Sequence, residues 1–380
     1  MEIEVLKLTR ELIGFNTVSA VSNVAMSARL AELLEALGCQ VEVQALTDGQ
    51  GQVKHNLIGR RMAKDGGTDG GLMLAGHMDT VPFRPDQRAN LAPVQEGALL
   101  YGRGTCDMKG GIAAEIEALA RVRGLPLKAP LTLAFTCDEE IGCLGAKAML
   151  GTRLLRARHA IVAEPSDLKP VRMHKGYCGA RVTLIGRAAH SSDPRRGVSA
   201  IKAAMRVMLA LEELERALTA ESYRGGPGYF TPDYATLNVG VMNAGVARNV
   251  VPEVCTFTIE LRPLPGQDTQ ALFLRVEEVV QEAATEAGVR VVFEVTTRDF
   301  PMETPGDAEL VTFLEALTGA SSGAVAFSTE GKEYNHMGMQ SVILGPGSIL
   351  KAHQEDEFVP IEELGKAVEL YAAAIDHFCR

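Results

Sequence analysis

Three short apolar segments of this chain each run directly into a histidine or an acidic residue. Amphipathic patterns typical of helices lie between them, such as MKGGIAAEIEALARV between the first two. Short buried strands that alternate with helices predict an α/β fold, with a mixed sheet covered by helices. Side chains at the carboxyl ends of such strands meet at one edge of the sheet, where ligands bind. The segments are GLMLAGHMD, ending on His77 and Asp79, LTLAFTCDEE, ending on Glu139 and Glu140, and AIVAEP, ending on Glu164.

The middle of the chain follows a different pattern. Strand, helix, strand, strand, helix and strand succeed one another from CGARVTLIG to VRVVFEVTT, which is the order of a ferredoxin-like α+β domain. The segment SVILGPG, far downstream, is predicted to return to the first sheet. We therefore expect a first domain made of residues 1–178 and 299–380, with a second domain, residues 179–298, inserted in it.

The composition argues against several classes of function. The formal net charge of −10 disfavours binding to nucleic acid or to anionic membranes. The seven cysteines lack CxxC spacing, which indicates a reducing compartment. The N-terminal segment MEIEVLKLTRELIGF lacks the pattern of a secretory signal, and no apolar run has the length of a membrane span. We expect a cytoplasmic protein.

Each candidate functional residue also has an ordinary explanation. His77 and Asp79 point the same way on a strand, so Asp79 is placed to orient a metal-binding imidazole. A strand-end histidine beside a solvated aspartate is as common. Asp107, in YGRGTCDMKGG, is either a ligand or the N-cap of the helix after it. Glu139 and Glu140 are either a general base beside a metal ligand or a solvent-exposed acidic pair.

Two further histidines and two cysteines stand near these motifs. His353, after SVILGPGSILKA, is either another ligand or a surface histidine, and spacing alone assigns His190 no role. A cysteine nucleophile is the rival chemistry, because Cys106 precedes Asp107 and Cys137 precedes the two glutamates. No obvious partner arrangement of histidine with asparagine or aspartate accompanies either thiol, which disfavours that chemistry.

Taken in order, GHMDTVP, YGRGTCDMKGG, TCDEEIG and AEPSDL resemble the motifs of the two-metal deacylase/aminopeptidase family. That family contains acetylornithine deacetylases, succinyl-diaminopimelate desuccinylases, aminoacylases and glutamate carboxypeptidases. The resemblance covers essentially the whole chain, and it implies a zinc-peptidase-like catalytic domain with an inserted lid and dimerisation domain. Long segments around His190, Arg262 and His353 are most similar to the acetylornithine deacetylases.

The resemblance implies a role for each candidate residue. One zinc ion is expected on His77 and Glu164 and a second on Glu140 and His353, with Asp107 bridging them through a cis peptide to Met108. Co²⁺ or Mn²⁺ also suits these ligands. Two Zn²⁺ ions, three carboxylates and one hydroxide sum to zero charge, which favours a metal site. Glu139 is expected to be the general base, and Asp79 is expected to orient His77. His190 is expected to stabilise the oxyanion across a dimer interface. Arg262 and Asn249 are expected to bind the substrate.

The implied reaction is hydrolysis of the amide of Nα-acetyl-L-ornithine in arginine biosynthesis, by a homodimer formed through the inserted domain. Glu330, in FSTEGKE, is a candidate to attract the substrate's ammonium; the alternative is a solvated loop glutamate beside Lys332 and Glu333. Rival substrates are acetylcitrulline, other N-acyl amino acids and dipeptides, which metal ligands do not distinguish. An inactive ligand-binding member of the fold is the alternative from another class. It would have lost a ligand or Glu139, and this chain retains both.

Overall fold

The computed structural model describes residues 3–226 and 228–380. Its α-helices are α1 (Val5–Ile13), α2 (Val24–Ala36), α3 (Lys109–Arg121), α4 (Leu144–Ala148), α5 (Ala200–Thr219), α6 (Thr269–Glu286), α7 (Glu309–Thr318), α8 (Gly331–His336) and α9 (Ile361–Cys379). Its strands are β1 (Gln40–Thr47), β2 (Val53–Arg61), β3 (Leu72–His77), β4 (Val94–Glu96), β5 (Leu99–Tyr101), β6 (Leu131–Thr136), β7 (His159–Val162), β8 (Val171–His174), β9 (Tyr177–Ile185), β10 (Ala189–His190), β11 (Thr236–Ala244), β12 (Val250–Val251), β13 (Val254–Arg262), β14 (Arg290–Asp299), β15 (Met302–Glu303), β16 (Gly323–Val325), β17 (Gln340–Ile343) and β18 (Phe358–Pro360).

The chain folds into two compact units. The first unit comprises the chain up to Arg172 together with Glu303–Gly323 and Thr329–Arg380, and the second comprises Met173–Met302 and Ala324–Ser328. The predicted insert, residues 179–298, lies within the second unit. Within the described residues, no helix has both the length and the apolar character that a membrane crossing requires.

A mixed sheet organises the first unit. Its strands follow the order β1-β2-β6-β3-β7-β17-β8-β15, and β16 pairs with β8. The neighbours β6, β3, β7 and β17 run parallel, so their carboxyl ends lie along one edge. Strands β3, β6 and β7 are buried along their whole length, which explains why they read as continuous apolar runs. The predicted return strand, β17, pairs in parallel with β7.

The second unit contains a four-stranded antiparallel sheet in the order β11-β13-β9-β14. Helices α5 and α6 pack together and bury the apolar side chains of this sheet in one core. Side chains cap the start of both helices: Ser199 accepts a hydrogen bond from the Lys202 amide, and Asp268 accepts one from the Ala271 amide. This arrangement confirms the ferredoxin-like α+β architecture.

Two helical glycines allow the destabilisation caused by close packing to be measured apart from the general effect of replacing a glycine by alanine. A Cβ on Gly111, in α3, would lie 2.7 Å from the Cβ and the carbonyl oxygen of Ala163, whereas one on Gly365, in α9, meets nothing within 4 Å. We expect Gly111→Ala to destabilise the first unit by about 1–3 kcal/mol. Gly365→Ala should stabilise it by up to about 1 kcal/mol. Urea denaturation followed by circular dichroism measures both, and equal effects would contradict the packing argument.

Candidate metal centre

The predicted metal ligands come from separate segments that meet at the carboxyl edge of the first unit's sheet. His77 is the last residue of β3, Glu164 follows β7, and Glu140 follows β6. Asp107 lies in the loop between β5 and α3, and His353 lies in the loop between β17 and β18. Because β6, β3 and β7 are adjacent and parallel, three of these five side chains reach the edge directly from their strands.

Asp107 stands between the two imidazoles. Its Oδ1 lies 3.0 Å from Nε2 of His77, and its Oδ2 lies 3.1 Å from Nε2 of His353. Each imidazole also faces a second carboxylate: Glu164 Oε1 is 3.4 Å from His77 Nε2, and Glu140 Oε2 is 3.0 Å from His353 Nε2. The cluster therefore has two halves that share one carboxylate.

These distances fit a pair of divalent ions. Zinc binds nitrogen and oxygen ligands at about 2.0–2.2 Å in tetrahedral geometry, which separates two ligand atoms of one ion by about 3.3–3.6 Å. The separation between Glu164 and His77, 3.4 Å, lies in this range, and the other three nitrogen–oxygen separations, 3.0–3.1 Å, are slightly shorter. Two sets of ligand atoms lie within 4.8 Å of one another: His77 with Glu139 and Glu164, and His77 with Asp107 and Glu140. The donor set therefore suits a dinuclear centre.

Burial gives these carboxyl groups unusual proton affinities. Burial raises the pKa of both Glu140 and Glu164 to about 7, and the nearby Asp107 adds to both shifts. Burial also opposes ionisation of Asp107, but hydrogen bonds from His353 and His77 outweigh it and lower the pKa of Asp107. Closely packed carboxylates need protons or cations to balance their charge. Bound metal ions would replace the protons.

Asp79 organises both the first imidazole and the glutamate pair. The backbone carbonyl of Asp79 lies 3.0 Å from Nδ1 of His77, and its carboxylate Oδ1 lies 3.5 Å from the same nitrogen. The carboxylate also accepts hydrogen bonds from the amides of Glu139 and Glu140, at 3.0 and 3.2 Å, and from the Ser19 hydroxyl at 2.8 Å. Asp79 therefore holds the turn that carries Glu139 as well as the imidazole of His77.

The loop that carries Asp107 is anchored by Glu357, a residue that the sequence analysis did not single out. The fully buried Glu357 carboxylate accepts hydrogen bonds from the amides of Gly104, Cys106 and Asp107, at 3.1, 3.1 and 3.2 Å. The Arg103 guanidinium donates to it at 2.6 Å. In the sequence, Glu357 is only an acidic residue in EDEFVP directly before a short strand. That pattern does not distinguish a buried anchor from a solvent-exposed glutamate.

The structure contradicts the N-cap interpretation of Asp107 and disfavours a cysteine nucleophile. Asp107 does not cap α3, since the N-cap position belongs to Met108 and no side chain caps the helix. The peptide bond from Asp107 to Met108 is cis, as the resemblance implied.

Burial raises the pKa of Cys106 well above its ordinary value and that of Cys137 to about 12. Burial therefore disfavours the thiolate, the nucleophilic form, at both positions.

Glu330 is fully buried, so the solvated-loop interpretation of this residue is wrong. The Thr136 hydroxyl donates a hydrogen bond of 2.5 Å to its carboxylate. Lys332 and Glu333, its predicted solvated neighbours, are buried too. A side chain without exposed surface has none to offer a ligand, so this structure gives no support to direct contact between Glu330 and a substrate ammonium.

The other predicted site residues belong to the second unit. His190 ends β10, is exposed, and its Nδ1 lies 2.7 Å from the Ser192 hydroxyl. Arg262 ends β13, where its Nε donates to Glu260 at 2.8 Å and its guanidinium lies 4.6 Å from the centre of the Tyr177 ring. The amide of Ser191 donates to the backbone carbonyl of Asn249. Their roles at the metal centre remain predictions.

Known proteins resemble this chain over nearly its whole length. An acetylornithine deacetylase from Myxococcus xanthus is 40% identical over 377 residues, which cover 97% of this chain and 96% of that protein. A tripeptidase from Staphylococcus aureus has a similar structure, with a TM-score of 0.80, 23% identity and 99% of each chain covered. A dinuclear metal-binding peptidase from Bacillus subtilis gives a TM-score of 0.68 at 16% identity, covering 98% of this chain and 97% of that one.

The family assignment comes from the sequence match and agrees with the fold. The model of peptidase family M20/M25/M40 matches residues 73–377, a span that includes every segment of the metal cluster. Members of this family are metal-dependent hydrolases, which agrees with the two halves of the cluster around Asp107. The chain belongs to the peptidase family M20/M25/M40.

Proposed function

We propose that this protein is a dinuclear zinc hydrolase that cleaves Nα-acetyl-L-ornithine to ornithine and acetate, as a step of arginine biosynthesis in the cytoplasm. The observation that carries the hydrolytic part is the bridging position of Asp107, with one carboxylate oxygen toward each imidazole. The choice of substrate is supported by the name of the relative that is 40% identical over 97% of the chain. The cysteines are all free, which agrees with a reducing compartment.

Glu139 is the proposed general base and acid. It offers an oxygen to the same cluster as His77 and Glu164, and its backbone amide is held by Asp79. Burial raises the pKa of Glu139 well above its ordinary value, which suits a group that takes up a proton near neutral pH. When bound, the two ions supply an acidified water and a polarised carbonyl. Glu139 accepts the water's proton and delivers it to the leaving amine.

The second unit is proposed to supply substrate recognition. Arg262 is assigned to the substrate carboxylate, because a guanidinium presents two parallel donors to a carboxylate. Asn249 is assigned to a polar group of the same substrate. His190 is assigned to the oxyanion of a neighbouring subunit, and its exposure agrees with a role outside its own unit's core.

A homodimer is part of the proposal, since His190 is expected to act across a subunit boundary. The second unit offers an apolar surface for such an interface. Met205 and Leu209, one turn apart on α5, are 62% and 61% exposed, and β11 forms the edge of its sheet. Val241 on that edge strand is 55% exposed. Exposed apolar side chains next to an open strand edge are typical of a surface that another chain covers.

The substrate proposal is tested with four amides: acetylornithine, acetylcitrulline, succinyl-diaminopimelate and acetylmethionine. We expect the highest kcat/KM on acetylornithine, loss of activity on chelation, and recovery with Zn²⁺. Glu139→Gln should lower kcat by about 10²–10⁴-fold with unchanged metal content, because only proton transfer is removed. Metal content is measured by mass spectrometry. Full hydrolysis by Glu139→Gln would contradict the assigned base, and preference for another amide would contradict the substrate.

Glu330→Gln tests how substrate charge is recognised. We expect this change to lower kcat/KM by the same factor on acetylornithine and on acetylnorvaline, which lacks the side-chain ammonium. The reason is that a fully buried carboxylate acts on the protein around Thr136 rather than on the ligand. Steady-state kinetics on the two substrates measures the ratio. A loss confined to acetylornithine would restore Glu330 as the ammonium site.

The dimer is tested by charge on the exposed face of α5. Met205→Glu with Leu209→Glu should give a particle of half the wild-type mass and strongly reduced activity, because two carboxylates would have to be buried in the interface. Leu274→Glu on α6, where the leucine is 50% exposed, is the matched control and should leave the mass unchanged. Sedimentation velocity measures the mass. A monomeric wild-type protein, or equal dissociation by the control, would argue against this interface.

A further inference from the structure

Three side chains of the first unit form a hydrogen-bonded chain that ends on Glu139. The Cys143 thiol lies 3.3 Å from Glu139 Oε1, and Nζ of Lys332 lies 3.0 Å from the Cys143 sulfur. A thiol is both a weak donor and a weak acceptor, whereas an ammonium only donates. When Glu139 is ionised, Lys332 therefore donates to the sulfur and the thiol donates to the carboxylate.

The local backbone places the thiol beside the carboxylate. The Cys143 amide donates to the Glu139 carbonyl at 2.9 Å, which closes a tight turn directly before α4. Cys143 adopts a φ of 55°, a left-handed conformation that is uncommon for a residue other than glycine. This turn brings two side chains four residues apart onto the same side, so the contact does not depend on a flexible loop.

Lys332 reaches the thiol from a distant part of the chain. It lies on α8, is 4% exposed, and its ammonium also contacts the carbonyl of Thr329 at 3.1 Å and Glu333 Oε1 at 3.6 Å. A buried ammonium is costly unless polar groups surround it. Here one of those groups is the Cys143 sulfur, which links the charge to Glu139.

We propose that Cys143 and Lys332 are positioning residues that fix the carboxylate of Glu139 for proton transfer. The thiol occupies one oxygen of the carboxylate and leaves the other for the attacking water. The ammonium polarises the S–H bond without pairing directly with the base, so it strengthens the hydrogen bond from the thiol to the carboxylate. This role rests on the proposed function of Glu139.

The test uses the metal-loaded protein and compares kcat and KM on acetylornithine, together with metal content, for several variants. Cys143→Ala removes the donor and should lower kcat by about 10-fold or more, with KM and metal content unchanged. Cys143→Ser keeps a donor and should recover most of that loss. Lys332→Met should lower kcat in the wild-type background but add little to Cys143→Ala, because Lys332 acts through the thiol. Lys332→Arg keeps the charge and should retain most activity.

Cys39→Ala provides the control, since Cys39 is another buried cysteine of the first unit, and we expect wild-type kinetics from it. If Cys143→Ala fails to fold, the kcat values of Cys143→Ser, Lys332→Met and Lys332→Arg still test the proposal. A kcat within twofold of wild type in Cys143→Ala, or full additivity with Lys332→Met, would overturn the proposal. Failure of the proposed function would give a different result: Glu139→Gln would then retain full activity, regardless of the kcat of the Cys143 variants.

Discussion

Negative charge concentrated away from bulk water is the constraint on which the first unit depends. Such carboxylates repel one another and take up protons unless cations lie between them. Without metal, protonated imidazoles of His77 and His353 can provide part of the balance. Imidazoles that bind metal are neutral, and two divalent ions would then provide the balance. The parallel strands make this concentration possible because they deliver side chains from distant segments to one edge. The acidic groups involved are Asp107, Glu139, Glu140 and Glu164.

Two further carboxylates hold the backbone that carries these groups. Asp79 binds the amides of the glutamate pair, and Glu357 binds three amides of the loop that carries Asp107. A carboxylate that accepts several backbone amides stabilises a loop that has no secondary structure of its own. The Arg103 guanidinium balances the charge of Glu357. Buried anions therefore fix the loop that carries Asp107 and the turn that carries the glutamate pair, whereas His77 lies at the end of a strand.

The parts of the site that follow strand ends were predictable from sequence, whereas the parts that depend on tertiary contact were not. The apolar runs identified β3, β6 and β7, and with them the predicted ligands at their ends, because a buried parallel strand has a strong local pattern. Glu357 contacts a loop about 250 residues earlier, and Lys332 contacts Cys143 across 189 positions. No local pattern encodes such contacts. The burial of Glu330 was missed for the same reason, since FSTEGKE has the composition of an exposed loop.

The arrangement of the first unit bears on how family members differ in their substrates. A tripeptidase only 23% identical to this chain shares its fold across 99% of both chains. All five predicted metal ligands and the proposed base lie in the first unit, and this part of the site addresses only the amide bond. Since a metal centre distinguishes poorly between amides, the choice of acyl group and amino acid has to come from other side chains. The residues proposed for that choice, Arg262 and Asn249, lie in the second unit.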